Sequence, residues 1–170
     1  LALDRAGNLY AITSHSRDAD GDGKTSREKL VRFRIDGDKV EQSTVVDGLK
    51  RALTAAHPML AAAAKVKDVK QDGGLNIEAL EFSPDAQRLL IGFRSPLQDG
   101  QAIIASVENV SAVFDDEAQP KIAPRLDLLN LDGNGLRGMA WVPALAGYLL
   151  IGGPTSAADG PFSLWFWSGE

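Results

Sequence analysis

Alternation of apolar and polar residues dominates this chain. In "KLVRFRI" (29–35), Val31, Phe33 and Ile35 fall on one side of an extended backbone, and Arg32 and Arg34 on the other. That is the period-two pattern of a half-buried antiparallel strand. The Asp-Gly turn in "DGDK" (36–39), followed by "VEQSTVV" (40–46), makes this strand one arm of a hairpin. Further apolar or alternating runs predict strands at 9–13, 75–82, 88–93, 101–110, 124–131, 136–143, 147–153 and 162–167. Turns rich in Pro, Gly, Asp and Asn separate them, such as Ser83-Pro84-Asp85 and "DGNG" (132–135). One stretch departs from this rhythm. "DGLKRALTAAHPMLAAAAKVKDVKQDGG" (47–74) is rich in good helix formers, and Leu49, Ala52, Leu53 and Ala56 recur at helical spacing after the capping residue Asp47. Pro58 would break a continuous helix but suits the first turn of a new one, so two short helices are predicted in an insertion spanning 47–72.

Three segments resemble one another: "LALDRAGNLYAITSHS" (1–16), "GLNIEALEFSPDAQRLLIGFRS" (74–95) and "GLRGMAWVPALAGYLLIGGPTS" (135–156). Each has a strand, a tight turn, a second apolar strand and a polar or Gly/Pro exit, with further strands before the next copy. Four antiparallel strands repeated along a chain are the written form of a β-propeller blade. The expected fold class is all-β: a partial propeller of four-stranded antiparallel blades with a short helical insertion. Residues 1–170 are read as one domain, a fragment of a longer propeller, because the first and last stretches already lie inside strand patterns. A sandwich of about ten strands is the competing arrangement.

Bulk composition narrows the function classes. The chain has 170 residues, 44% hydrophobic and 24% charged, with 18 Lys+Arg against 23 Asp+Glu for a net charge of −5. This is the balance of an ordinary globular domain, and no basic stripe speaks for nucleic acid as a partner. No apolar run approaches the roughly 20 residues of a membrane span, so no membrane partner is expected. The absence of cysteine removes disulfides, thiolate metal sites and cysteine nucleophiles. It fixes no compartment; a periplasmic or secreted setting is preferred to a cytoplasmic one.

In a propeller the loops at one end gather at the mouth of a central channel, so polar residues that recur in the repeated words are candidates to converge. These are His15, Ser16, Asn76, Glu78, Arg94, Ser95 and Arg137. Asn76 and Glu78, two apart on a strand, present their oxygens side by side, and two arginines nearby suit a carboxylate or phosphate. The competing role for Glu78 is structural: an ion pair with Arg94 or Arg137 that holds adjacent sheets together. Ser14-His15-Ser16 does not form a nucleophile and its base, because neighbours on a strand point to opposite faces. The words "ITSHSR", "GLNIEALEFSP", "LLIGFRSPL", "GLRGMAW" and "YLLIGGP" together resemble an uncharacterised bacterial family of propeller-like proteins, a domain of unknown function. "LNIEALEFSPDAQRLLIG" also resembles one strand of the phytase-like esterase propellers, with Ala79 where glycine is usual. The first resemblance implies the fold and family membership but no activity; a ligand-binding or scaffold module with its site at the channel mouth is expected because the residues assemble no catalytic set. The second implies a calcium-assisted phosphoester hydrolase with Asn76, Glu78, Arg94 and Arg137 around an ion or anion.

"DADGDGKTS" (18–26) raises a separate question. An EF-hand sets oxygens at alternate loop positions, a glycine at the sixth and a bidentate Glu at the twelfth. Asp18, Asp20, Asp22, Gly23, the Lys24 carbonyl and Ser26 fit the first part, but the twelfth position is Lys29 and the flanks are strands. The loop is therefore no EF-hand. Calcium held by Asp18, Asp20, Asp22, Lys24 and Ser26 competes with a plain solvated hairpin turn. A small anionic ligand, and self-association through open sheet edges, complete the partners expected.

Overall fold

The structure, a computed structural model, describes residues 1–156 and 160–170. It is mostly β, with three antiparallel sheets in chain order and a few short helices. The first sheet holds β1 (Ala2–Leu3), β2 (Leu9–Ile12), β3 (Leu30–Asp36) and β4 (Lys39–Val46), each paired with its sequence neighbour. The middle sheet repeats that order with β5 (Asn76–Phe82), β6 (Leu89–Ser95), β7 (Ala102–Val107) and β8 (Asp127–Leu129). The third has β9 (Gly135–Val142), β10 (Gly147–Gly153) and β11 (Ser163–Trp167). None of the three is closed on itself. Where the turn is short, as at 37–38 and 143–146, antiparallel return is the only choice, and the long connections 13–29 and 108–126 also return antiparallel.

The helical insertion lies between the first two sheets, within the stretch where the apolar spacing changes period. It comprises α1 (Leu49–Ala56), α2 (Pro58–Ala63) and α3 (Val69–Asp72). Pro58 opens α2, where its missing N–H is no loss, and the Asp68 carboxylate caps α3 by accepting from the Gln71 N–H. Leu49, Leu53 and Leu60 are fully buried against the core of the first two sheets. His57, at the junction of α1 and α2, is buried too, with Nε2 3.1 Å from the Ala123 carbonyl. It is at once the C-cap of α1 and the N-cap of α2, and the turn there folds its ring onto the chain beyond β7. A fourth helix, α4 (Val110–Asp115), follows β7 and buries Val110, Val113 and Phe114.

The sheets stack face to face. Leu80, Phe82, Leu89, Ile91 and Phe93 of the middle sheet meet Ala2, Tyr10, Leu30 and Val46 of the first. Tyr10 sets its ring edge-on to Phe82 at 4.9 Å and to Phe114 at 5.2 Å. On the opposite side, Ala79, Leu90 and Ile104 meet Leu136, Tyr148, Leu150 and Trp167 of the third sheet. The middle sheet is thus covered on both faces, which is why β6 and β7 read as near-continuous apolar runs. Each Leu, Ile or Phe withdrawn from water here contributes ~1.5–3 kcal/mol before the entropic cost of ordering it. The second and third sheets also touch through backbone. A Cβ added to Gly135 would stand 1.8 Å from the Arg94 carbonyl oxygen, so only glycine fits this approach. Trp141 donates its N–H to Glu81 across the same junction, at 3.1 Å.

In β3 the alternation is as the sequence predicts, but the faces are exchanged. Val31, Phe33 and Ile35 share the outer side of the first sheet, while Arg32 turns inward, its guanidinium 5.0 Å from the Phe114 ring centroid and 2.8 Å from Asp115. Arg34 turns the same way and donates to Asn8 and to the Ala6 carbonyl.

Candidate functional site

The chain leaving β2 extends the ladder past its end. Thr13 and His15 donate their N–H groups to the carbonyls of Lys29 and Arg27, and the Ser14 carbonyl accepts from Ile77 at the start of β5. This bridge between the first and middle sheets sets residues 14–17 beside Asn76. Ser14 and Ser16 share a side, their hydroxyls 2.8 Å apart, as strand alternation requires. His15 points the other way and is fully buried, in the left-handed region at φ 54°. Its Nδ1 lies 2.8 Å from the Thr13 carbonyl, and burial pushes its pKa below the ordinary histidine value. It has no bond to either serine, so no nucleophile–base pair forms.

Glu78 sits between two arginines. Its Oε2 is 2.8 Å from Arg137 Nε, its Oε1 3.5 Å from Arg94, and Asn76 donates to Oε1 at 3.3 Å. Both arginines also donate to the Pro154 carbonyl, and Arg94 reaches the Ser156 carbonyl as well. Arg137 lies over the Phe162 ring at 5.2 Å. Glu78 thus joins β5, β6 and β9, and both its oxygens are engaged. Ser95 is 1% exposed and gives its hydroxyl to the Gly74 carbonyl at 2.6 Å, locking β6 to the end of the helical insertion.

Of the residues singled out in the sequence, Ser16, Asp18, Asn76 and Arg94 line one cavity of about 210 Å³ between the 16–19 segment, α3 and the start of β5. Arg17, Arg27, Lys67 and Asp68 complete its polar wall. Four cations therefore face two carboxylates, and the carboxylates are occupied. Asp18 accepts from the N–H groups of Asp20 and Asp22 and pairs with Lys24 at 3.2 Å; the Asp22 N–H is the leading cause that holds its pKa below the usual carboxylate value. Asp68 is the α3 cap. The cations are held by neutral groups: Arg17 donates to the Ala64 and Gly21 carbonyls, and Arg27 to Ser16 Oγ and the Arg17 carbonyl. Among the described residues, no carboxylate pairs with Arg17, Arg27 or Lys67. Arg17, Arg27 and Lys67 were not singled out by sequence reasoning: Arg17 closes the word "ITSHSR" just past the repeated segment 1–16, and Arg27 and Lys67 stand outside the words altogether.

The 18–26 loop is a compact turn in which Lys24 Nζ lies 3.2 Å from Asp18 and 3.8 Å from Asp22. Its carbonyl accepts from the Arg27 N–H. Among the described residues, no group of three His, Asp or Glu side chains is placed to hold a metal ion.

Three meandering sheets stacked face to face, with a cation-rich cavity where the first two meet, define a mostly-β protein with a polar inter-sheet site. A family profile matches residues 13–170, and the chain belongs to that family, described as a protein of unknown function, DUF3616. No curated protein matches the chain.

Proposed function

We propose that the chain is a ligand-binding module built of propeller-type blades, and that a small anion occupies the cavity lined by Ser16, Arg17, Arg27, Lys67, Asn76 and Arg94. The observation that carries the reading is the presence of cations without carboxylate partners around an enclosed space. Guanidinium and ammonium groups that face a partly dry cavity lose hydration, and a carboxylate or phosphate restores it with charge-assisted hydrogen bonds. The volume, about 210 Å³, equals some seven waters at ~30 Å³ each, the size of a phosphomonoester or a short dicarboxylate. Three consecutive meanders stacked in chain order support the blade reading. A binding role is favoured over phosphoester hydrolysis because Glu78, the carboxylate such chemistry would use, is neutralised by two arginines.

Isothermal titration with inorganic phosphate and with succinate tests the reading. Wild type should bind at least one of them. Arg27→Ala combined with Lys67→Ala should weaken binding by roughly tenfold or more, from the loss of charge-assisted bonds worth ~1.5–3 kcal/mol. Absence of heat with either anion, or equal affinity in the double variant, would remove the cavity as an anion site.

A further inference from the structure

The anion cavity makes no use of His15, whose ring is 0% exposed and whose backbone sits at φ 54°, a region that residues with a Cβ adopt at a cost. The Thr13 carbonyl, 2.8 Å from Nδ1, can only accept, so the neutral ring carries its proton on Nδ1. Nε2 is then a bare acceptor, and among the described residues no group donates to it. The charged groups that face the ring are Glu28, from the turn before β3, and Lys50, from α1. They pair with each other at 2.7 Å, which leaves neither free to serve an imidazolium. A second proton on Nε2 would therefore set a charge and an unmet donor in the interior. Burial is the leading cause that holds the His15 pKa below the ordinary value of 6.5; the Thr13 bond and Glu28 oppose it, and Lys50 adds to it.

The ring stands at a joint. On one side, the Ser14 carbonyl accepts from the Ile77 N–H at 2.9 Å and ties the first sheet to β5, while the His15 N–H donates to the Arg27 carbonyl at 2.7 Å. On the other side, Ser16 lines the cavity and its Oγ accepts from Arg27 Nη1 at 3.2 Å. The ring can reach water only if residues 13–17 lift away from Ile77 and Arg27.

We propose that His15 is an acid-opened latch on the cavity: neutral, it seats residues 13–17 against Ile77 and Arg27, and protonated, it leaves the interior and lifts the Ser16–Arg27 wall. Its consequence, release of the anion, rests on the reading of the cavity given above. The direction separates a latch from simple charge. A positive charge added beside an intact cavity would tighten an anion, whereas a lifted wall lets it go. Because the seated ring favours the neutral form, seating is at full strength above 6.5 and is lost progressively as pH falls below it. At about pH 5 an exposed histidine is protonated by roughly thirtyfold, the most by which opening can be favoured there.

Amide hydrogen exchange of the full chain, followed by NMR and corrected for the intrinsic rate at each pH, reads the opening. Between about pH 8 and about pH 5, protection of the Ile77 amide should fall by on the order of tenfold while that of Ile104 in β7 holds. In His15→Asn the new residue accepts the left-handed backbone, its amide can donate to the Thr13 carbonyl, and it takes up no proton. Ile77 protection in that variant should not change over the same range. The wild-type comparison of Ile77 with Ile104 stands even if the variant folds poorly. Sulfate, a dianion throughout, should raise Ile77 protection in wild type at the lower pH. Ile77 protection that ignores pH, falls equally in His15→Asn, or falls only in step with Ile104 overturns the latch. An Ile77 amide that responds to pH but not to sulfate upholds the latch and overturns its coupling to an anion.

Discussion

Tyr148 offers the most quantitative check on the packing between the middle and third sheets. It is 1% exposed, stacked on Trp167 at 5.0 Å, edge-on to Trp141 at 4.9 Å, and donates its hydroxyl to the Phe82 carbonyl at 3.1 Å. Burial is the main cause that pushes its pKa from 10.0 up to about 12, with the nearby Glu81 charge adding to it. The neutral phenol is therefore preferred by the folded state. A group whose pKa is raised on folding contributes its full stability below the unfolded value and loses it as pH climbs through the folded one. The window is thus pH 10 to about 12, and two units at ~1.36 kcal/mol each make about 3 kcal/mol. Tyr148→Phe removes the titrating group together with one hydrogen bond, at a cost of ~1 kcal/mol near neutrality. The variant should be less stable than wild type by that amount below pH 10, draw level near pH 11, and be the more stable protein beyond it. Urea unfolding followed by tryptophan fluorescence at stepped pH measures both curves; groups common to the two proteins cancel in the difference. A gap that stays constant from pH 8 upward would refute the buried, neutral phenol.

Two further outcomes follow from geometry. Gly135→Ala would drive a Cβ into the Arg94 carbonyl oxygen, backbone against backbone, and should cost upwards of ~4 kcal/mol in thermal or urea unfolding, whereas Gly23→Ala, which meets nothing within 4 Å, should change little. We propose calcium as a competitor of Lys24 for the Asp18 loop; Lys24→Ala should therefore bind calcium more tightly than wild type in a calorimetric titration, and no heat from the variant at millimolar ion would discard the loop as a calcium site.

Strand positions were legible because alternation and turn chemistry are local. The insertion was legible because the apolar period changes at 47–74 and Pro58 marks a helix start. Facing was not. "LLIG" occurs in β6 and again in β10, yet Leu89 and Ile91 face the preceding sheet while Leu149 and Ile151 lie on the bare outer face. A one-residue offset reverses every side chain, and the letters cannot show which offset the pleat adopts. The same ambiguity hid the inward turn of Arg32. Helix α4 did leave a trace, Val110, Val113 and Phe114 at helical spacing, but six residues directly after a strand carry little periodic signal. In the cavity, Ser16, Asn76 and Arg94 were reachable through the repeat. Arg27 and Lys67 come from a loop and the helical insertion, where nothing repeats to announce them.

With both faces covered, the middle sheet is slow to yield to solvent. Releasing the amides of β6 and β7 requires separating two cores at once, so their hydrogen exchange should report global unfolding, while β1, β4 and β11 exchange through local opening. The cavity straddles that gradient. Arg94 and Asn76 stand on its slowest-exchanging wall, and Arg17 and Arg27 on a loop held by a few backbone bonds. Capture of an anion would be recorded as slowed exchange in residues 16–27, with the β6 wall unchanged.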